Sequence, residues 1–172
     1  MNLGKKLIWI VLTLVSLVCK LNAQSFSDRL HFEASAGTGI KMHDMTPFDY
    51  SFKLNVDVAP RFYVSVVTET EKSLYKDDKV KTYFNGESFG GGIGYNFYDN
   101  NNSSHVLGIR TKILNSIFKA DCKRTTYDVF LSWYTKTRKF SPVIELGYRY
   151  IKSRSEELRN YSNVYMTLGI RY

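Results

Sequence analysis

Apolar and polar side chains alternate along almost the whole chain after Arg29, and this period of two restricts the fold more than any other feature. In an extended strand, successive side chains point to opposite faces, whereas a helix requires a repeat near 3.6 residues. The alternation divides into eight segments, and we expect no helix to interrupt them. The sequence therefore predicts an all-β fold of eight strands.

Polar or charged stretches separate these segments and predict turns and loops. Ala59-Pro60-Arg61 predicts a tight turn, because proline fixes φ and removes a donor from the ladder. The third strand is expected over 62–69 and the fourth over 88–97, with a charged hairpin around 76–79 between them. Asn85-Gly86 offers a competing turn or a bulge just before the fourth strand. The other connections are expected at 99–104, 118–124, 135–139 and 152–160.

Residues 1–23 have the layout of a secretory signal peptide. Lys5 and Lys6 precede an apolar stretch of 13 residues over 7–19. A helix needs about 20 apolar residues to span a bilayer, so this stretch is too short to be a membrane anchor. Ala23 supplies a small residue at the expected cleavage site. We therefore expect the chain to be exported.

A lipoprotein signal acylated on Cys19 is the alternative for this segment, but such signals place a small residue before the cysteine, and Val18 is bulky. Cleavage after Ala23 leaves a single barrel domain over 24–172. The net charge falls from +8 to +5, because three of the 24 basic residues and none of the 16 acidic ones leave with the signal. Cys122 is then the only thiol, so no intramolecular disulfide is predicted.

Composition and motifs exclude several classes of function. A mean hydropathy of −0.27 argues against a bundle of transmembrane helices. A phosphate-binding glycine loop, an HExxH motif, a CxxC pair and a nucleophile elbow are all absent from the sequence, so neither a cofactor nor a metal site is predicted. The positive charge alone would admit nucleic acid, but export argues against that partner.

The strand count and the chain length favour a closed barrel. Removing 23 of the 172 residues leaves 149, about 19 for each of the eight strands with its connection. A strand that crosses a membrane needs about 9–11 residues when tilted, which leaves about eight for each connection. An even number of antiparallel strands closes with both termini at the same end. The predicted fold class is an eight-stranded antiparallel up-and-down transmembrane β-barrel.

Two features of the strand ends favour an apolar face that points outward into a membrane. Short turns at 59–61, 99–104 and 135–139 share one end, and the other connections are on average longer and more charged. Aromatic residues form two rows on the apolar faces, as expected for the girdles at membrane interfaces. The predicted interface aromatics are Phe62, Tyr95, Phe97, Trp133, Tyr148 and Tyr150.

The polar face predicts a lumen that is filled by side chains. It carries glycines at Gly90, Gly92 and Gly94 and charges of both signs, whereas a solvated exterior would carry more Lys and Glu. Charges inside a narrow eight-stranded barrel must pair with one another. The predicted lumen charge network consists of Glu33, Lys53, Asp57, Glu69, Arg110, Asp128, Glu145, Arg149 and Arg171.

The sequence resembles the small outer-membrane β-barrels of Gram-negative bacteria, of the OmpA/OmpX kind, in the segments GGGIGYNF (90–97), PVIELGYRY (142–150) and MTLGIRY (166–172). The resemblance covers 26–172 and implies an outer-membrane location, with both termini in the periplasm and four longer loops outward. It implies contact with membrane lipid and lipopolysaccharide. It also implies that the barrel-insertion machinery recognises Ile170 and Tyr172, although Thr167 stands where glycine is usual.

These features favour a non-enzymatic protein with a structural or adhesin-like function through its outward loops, whose ligand the sequence does not identify. A large pore is not expected, because eight strands leave little free lumen. One alternative is a soluble periplasmic or secreted barrel that binds an apolar ligand, which requires an apolar lumen. Another is a lipid A-modifying hydrolase, for which His31, Glu33 and Ser35 share the inward face.

Overall fold

The computed structural model describes residues 29–41, 45–77, 80–99, 103–117, 123–136, 139–154 and 160–172. The expected signal peptide and Cys122 lie outside the described residues. Among the residues described, no helix is long and apolar enough to cross a membrane. The strands are β1 (Leu30–Gly39), β2 (Met45–Thr46), β3 (Phe48–Ala59), β4 (Phe62–Asp77), β5 (Val80–Asp99), β6 (His105–Ile117), β7 (Arg124–Thr135), β8 (Ser141–Ser153) and β9 (Tyr161–Arg171).

Eight of these strands, all except the two-residue β2, form one closed antiparallel barrel. Each long strand pairs with the next long strand along the chain, and β9 pairs with β1 to close the ring. The short β2 pairs only with the far part of β4 in the described residues. The predicted all-β, eight-stranded up-and-down architecture is therefore confirmed.

The register of the strands determines the width of the barrel. Tracing paired residues once around the wall from Pro142 leads back to Lys152 on the same strand, ten residues further along. For eight strands, this stagger corresponds to a tilt of about 40° and a backbone radius of roughly 8 Å. Side chains from opposite walls of such a barrel can meet at its axis.

The predicted turn after β3 is confirmed, and it fixes one end of the barrel. β3 ends at Ala59 and β4 begins at Phe62, with Pro60 and Arg61 between them. Arg61 has a φ of 70°, in the left-handed region. The backbone amide of Asn96 donates to the carbonyl of Arg61 at 2.8 Å, which ties this turn to β5.

The strands β4 and β5 are longer than the sequence predicts. The expected strands covered 62–69 and 88–97, whereas β4 continues to Asp77 and β5 begins at Val80. Asp77 pairs with Val80, so β4 and β5 form a hairpin, while residues 78 and 79 of the expected charged turn lie outside the described residues. In the described part of the chain, residues 80–86 of β5 pair with β4 alone, since pairing with β6 begins at Glu87. The two strands therefore form an arm beyond the barrel wall.

The prediction of a turn or bulge at Asn85-Gly86 was wrong. Both residues lie inside β5 and pair in register with Lys72 and Glu71 of β4. The residues just before Asn85 are Thr82, Tyr83 and Phe84, which favour strands. Pairing of the residues on both sides with β4 keeps Asn85-Gly86 within the ladder.

The wall of the barrel has its apolar side outward. Among the described residues, 29 large apolar side chains are exposed and nine apolar side chains are buried, whereas 24 polar or charged side chains are buried. Water-soluble proteins bury most of their large apolar side chains and leave charges outside. This barrel does the reverse, and its packed centre is polar.

Candidate functional site

The lumen holds a balanced set of buried charges, because one face of every strand points inward. Six acidic and six basic side chains are buried among the described residues. Equal numbers leave the set neutral overall. The acidic set is Glu33, Asp49, Glu69, Glu71, Asp128 and Glu145, and the basic set is Lys53, Arg110, Lys112, Arg124, Arg149 and Arg171.

The first charge cluster consists of Glu33, Lys53, Arg110 and Glu145. Lys53 Nζ donates to Glu33 Oε1 at 2.8 Å and to Glu145 Oε2 at 2.7 Å. Arg110 Nη1 lies 2.9 Å from Glu33 Oε2 and 2.7 Å from Glu145 Oε1. Each cation thus contacts both carboxylates, and Thr167 donates a further hydrogen bond to Glu145 at 2.7 Å.

The second charge cluster consists of Asp49, Glu69, Lys112, Asp128 and Arg149. Arg149 forms a two-pronged contact with Asp128, at 2.9 Å through Nε and 2.8 Å through Nη2. The same guanidinium donates to Asp49 at 2.6 Å and to Glu69 at 3.0 Å. Lys112 Nζ lies 2.6 Å from Glu69 and 3.2 Å from Asp128.

Aromatic side chains complete the second cluster on its inner surface. The guanidinium carbon of Arg149 lies 3.9 Å from the centre of the Tyr165 ring, and the Tyr165 hydroxyl donates to Asp49. Phe130 packs edge-on against Tyr165 and faces the ammonium of Lys112. These rings are among the few apolar groups in the lumen, and they hold the cations in place.

Ion pairs in both clusters cross the full width of the barrel. Arg110 and Glu33 come from β6 and β1, and Arg149 and Glu69 come from β8 and β4; each pair of strands is four positions apart around the eight-stranded ring. A cavity of about 20 Å³ lies between the two clusters, which is room for a single water molecule. Side chains therefore plug the lumen at this level.

The structure places seven of the nine predicted network residues in these two clusters: Glu33, Lys53, Glu69, Arg110, Asp128, Glu145 and Arg149. Asp57 and Arg171 lie apart from them. Asp57 is partly exposed and contacts His31 at 3.1 Å. Arg171 is buried, but it faces the rings of Tyr134 and Tyr63.

Four buried charges were missed by the sequence interpretation: Asp49, Glu71, Lys112 and Arg124. Glu71 and Arg124 form an ion pair, but the predicted strands ended or began short of them. Asp49 was missed for the same reason, because it precedes the predicted start of its strand. Lys112 is two residues after Arg110 and therefore shares its inward face. Strict use of the alternation would have included Lys112 in the predicted network.

The short-turn mouth is the end of the barrel formed by the turn at Pro60-Arg61 and by the strand ends on the same side: the start of β1, β6 and β8 and the end of β5, β7 and β9. It opens into a cavity of about 700 Å³. The lining includes His31, Asp57, Asn96, Tyr134 and Arg171. Asn96 Nδ2 donates to the Tyr134 hydroxyl at 3.0 Å, so this end of the lumen is also built from polar contacts.

The six predicted interface aromatics all point away from the lumen. Phe62 and Tyr95 pack together near the short-turn mouth, with ring centres 4.6 Å apart. Trp133 stacks on His105 near the same end, and Phe97 is exposed there. Tyr150 packs against Tyr127 toward the opposite end, and Tyr148 is exposed on the same strand. Ile170 and Tyr172, the predicted insertion signal, are also exposed on the outer face.

The three inward residues of β1 that suggested a hydrolase do not contact one another. His31 contacts Asp57, and Ser35 shares a hydrogen bond of 2.7 Å with Ser51. Glu33 is held by Lys53 and Arg110. Each of the three therefore has a separate partner, and the arrangement lacks the hydrogen-bonded order that a catalytic triad requires.

Comparison with protein-family models and with curated proteins finds no match for this chain. The geometry alone therefore defines the class of molecule. It is a closed eight-stranded antiparallel barrel with an apolar outer wall and an ion-paired lumen. The polar lining also disagrees with the apolar lumen that the soluble, ligand-binding alternative requires.

Proposed function

We propose that this protein is an integral outer-membrane β-barrel, exported through its N-terminal signal peptide, with a non-enzymatic function at the cell surface. The observation that carries the proposal is the inverted polarity of the wall. A continuous belt of exposed apolar side chains is stable only when lipid or another apolar phase covers it. The lumen supplies the polar core that a membrane barrel has inside.

The size of the belt supports this proposal. On β9, five outward side chains from Val164 to Tyr172 are apolar and exposed. Nine residues in a strand tilted by about 40° rise on the order of 20 Å. The apolar band of outer-membrane barrels is about 25 Å tall, so the belt has the right height. The aromatic residues near both ends of the wall fit the two interfaces.

The ion-paired lumen favours a structural or adhesive function over transport. Passage of a solute would require breaking contacts such as Arg110–Glu33 and Arg149–Glu69 inside a lumen that side chains fill. Separating a buried ion pair costs about 3–5 kcal/mol. The barrel therefore serves as a support for what lies outside the membrane.

The arm formed by β4 and β5 is the part that we expect to meet a surface partner. The arm lies at the end of the barrel opposite the short-turn mouth. If both termini are periplasmic, the end that carries the arm faces outward. Residues 80–86 extend about 23 Å along the strand at the usual rise per residue. Their edge pairs with no other strand in the described part of the chain, so it offers backbone donors and acceptors to an extended segment.

Fractionation combined with gel mobility tests the location and the fold together. Cells expressing the full chain are separated into aqueous, inner-membrane and outer-membrane fractions, and each is run unheated and boiled. We expect the protein in the outer-membrane fraction, with a mobility that changes on boiling. Recovery in the aqueous fraction without detergent would contradict the proposal and favour a soluble barrel.

Removal of the arm tests the surface function. Because Lys72 pairs directly with Asn85, residues 73–84 can be replaced by Asn-Gly, which forms a two-residue hairpin turn. We expect this variant to reach the outer membrane and to keep its heat-dependent mobility, but to lose adhesion of whole cells to a host-cell layer. Equal adhesion by the variant and the parent would show that the arm is not the interaction surface.

A further inference from the structure

The short-turn mouth contains a buried cation that differs from the others in the lumen. Lys53, Arg110, Lys112, Arg124 and Arg149 each form an ion pair with a carboxylate. Arg171 is 93% buried, since its relative exposure is 7%, yet it has no carboxylate partner among the described residues. Its Nη1 atom is buried without a hydrogen-bond acceptor.

Aromatic rings hold the Arg171 side chain in place. Its guanidinium carbon lies 4.6 Å from the centre of the Tyr134 ring and 5.8 Å from that of Tyr63. Ring faces attract the cation but do not accept its N–H groups in the plane of the guanidinium. Its N–H groups therefore have no acceptor within the described residues, and the side chain lines the mouth cavity.

The charge balance of the mouth favours an anion as that acceptor. Both acidic side chains that line it are already engaged, Asp57 with His31 and Asp99 with Lys136. Arg61 and Lys139 also line the cavity, and neither forms an ion pair in the described part of the chain. The mouth therefore has an excess of positive charge, which attracts anions and raises their local concentration.

We propose that the short-turn mouth binds a phosphate group, with Arg171 as its principal ligand. A guanidinium fork matches two oxygens of a phosphate and forms strong charge-assisted hydrogen bonds with them. Asn96 also lines this cavity, and its Oδ1 atom is buried without a donor in the described part of the chain. A phosphate monoester carries up to two negative charges and three acceptor oxygens, so it matches an excess of positive charge better than a carboxylate does. The cavity of about 700 Å³ leaves room for an organic group attached to the phosphate.

Calorimetric titration of the folded full chain with inorganic phosphate tests the site. The protein is held in a non-ionic detergent, and acetate serves as the comparison anion. We expect saturable binding of phosphate that is tighter than that of acetate, and weakening of about tenfold or more in Arg171→Gln. The matched control is Lys152→Gln, which removes one positive charge from the exposed end of β8 and leaves phosphate affinity within about twofold.

A second variant covers the case in which Arg171→Gln does not fold. Asn96→Asp places a carboxylate in the mouth with almost no change of shape, and we expect it to weaken phosphate binding to a similar degree. Heat-dependent gel mobility confirms that each variant is folded. Absence of saturable phosphate binding by the parent chain, or equal affinity in the parent and in both variants, would overturn the proposal.

The source of the phosphate is tested by repeating the titration in nanodiscs that contain phosphatidylglycerol. Unchanged affinity indicates a soluble phosphate ester, and competition indicates a lipid headgroup; both outcomes support a phosphate site. The assay does not depend on where the protein resides in the cell. A negative result would therefore leave the outer-membrane proposal intact, and failed fractionation would leave the binding result intact.

Discussion

Arg149 is the residue on which the second charge cluster depends. It is almost fully buried and contacts Asp49, Glu69 and Asp128 at once. Lys112 is the other cation of the cluster, so loss of Arg149 leaves three carboxylates facing one positive charge. An uncompensated buried charge is among the most destabilising changes that a single substitution can make.

We predict that Arg149→Met lowers the free energy of unfolding by about 3–5 kcal/mol. The measurement is urea-induced unfolding of the purified barrel in detergent micelles. Lys152→Met is the matched control, because Lys152 is exposed on the same strand and its replacement is expected to cost less than about 0.5 kcal/mol. Equal costs for the two variants would mean that the cluster does not stabilise the barrel.

The face of the wall to which a side chain points could be predicted from the sequence, but its individual contacts could not. The alternation placed Glu33, Glu69 and Arg149 on the inward face correctly. It could not show that Arg171 faces a ring instead of a carboxylate, because the partner of a lumen residue lies up to four strands away and depends on the stagger. Asp57 had the same parity as the network but lies at the mouth, where it contacts His31.

At the scale of the strand, the inward-facing Gly94 of β5 fits against a bulky side chain on the neighbouring strand β4. A Cβ added to Gly94 would lie 2.0 Å from the Cζ atom of Tyr63, whose ring is buried across the strand. The Tyr63 ring in turn faces the guanidinium of Arg110. The glycine on one strand therefore makes room for the aromatic residue on the next.

We predict that Gly94→Ala destabilises the barrel by about 1–3 kcal/mol, because the Tyr63 ring must move within a packed lumen. Gly91→Ala is the control on the outer face of the same strand, where the nearest atom lies 3.2 Å from the added Cβ. We expect its cost to stay below about 1 kcal/mol. Chemical unfolding of both variants checks this, and a larger cost at Gly91 would contradict the packing described for Gly94.

Strand number and order followed from the sequence, whereas strand length did not. Apolar and polar residues alternate less regularly over 80–86, where β5 pairs with β4 alone in the described part of the chain. The turn signal at Asn85-Gly86 then suggested an early end. Pairing of residues 72–77 with 80–85 is a property of two strands together, and one strand read alone does not reveal it.

At the scale of the whole molecule, the central claim is that lipid covers the outer wall. A soluble barrel and a membrane barrel have the same alternation, and they differ only in which face points outward. Closure, stagger and the inward charges together place apolar side chains such as Ile93, Leu131 and Leu146 outside. Because alternate residues of each strand line the polar lumen, the composition of the chain is polar on average.

The most direct test is the accessibility of a spin label at Leu131, introduced as Leu131→Cys in a Cys122→Ser background and reconstituted in lipid vesicles. Because we expect lipid to surround Leu131, oxygen should relax this label more effectively than a water-soluble nickel complex does. A label at Lys152→Cys, near the exposed end of β8, should show the opposite order. Equal access of the nickel complex to both positions would place Leu131 in water and contradict a lipid-covered outer wall.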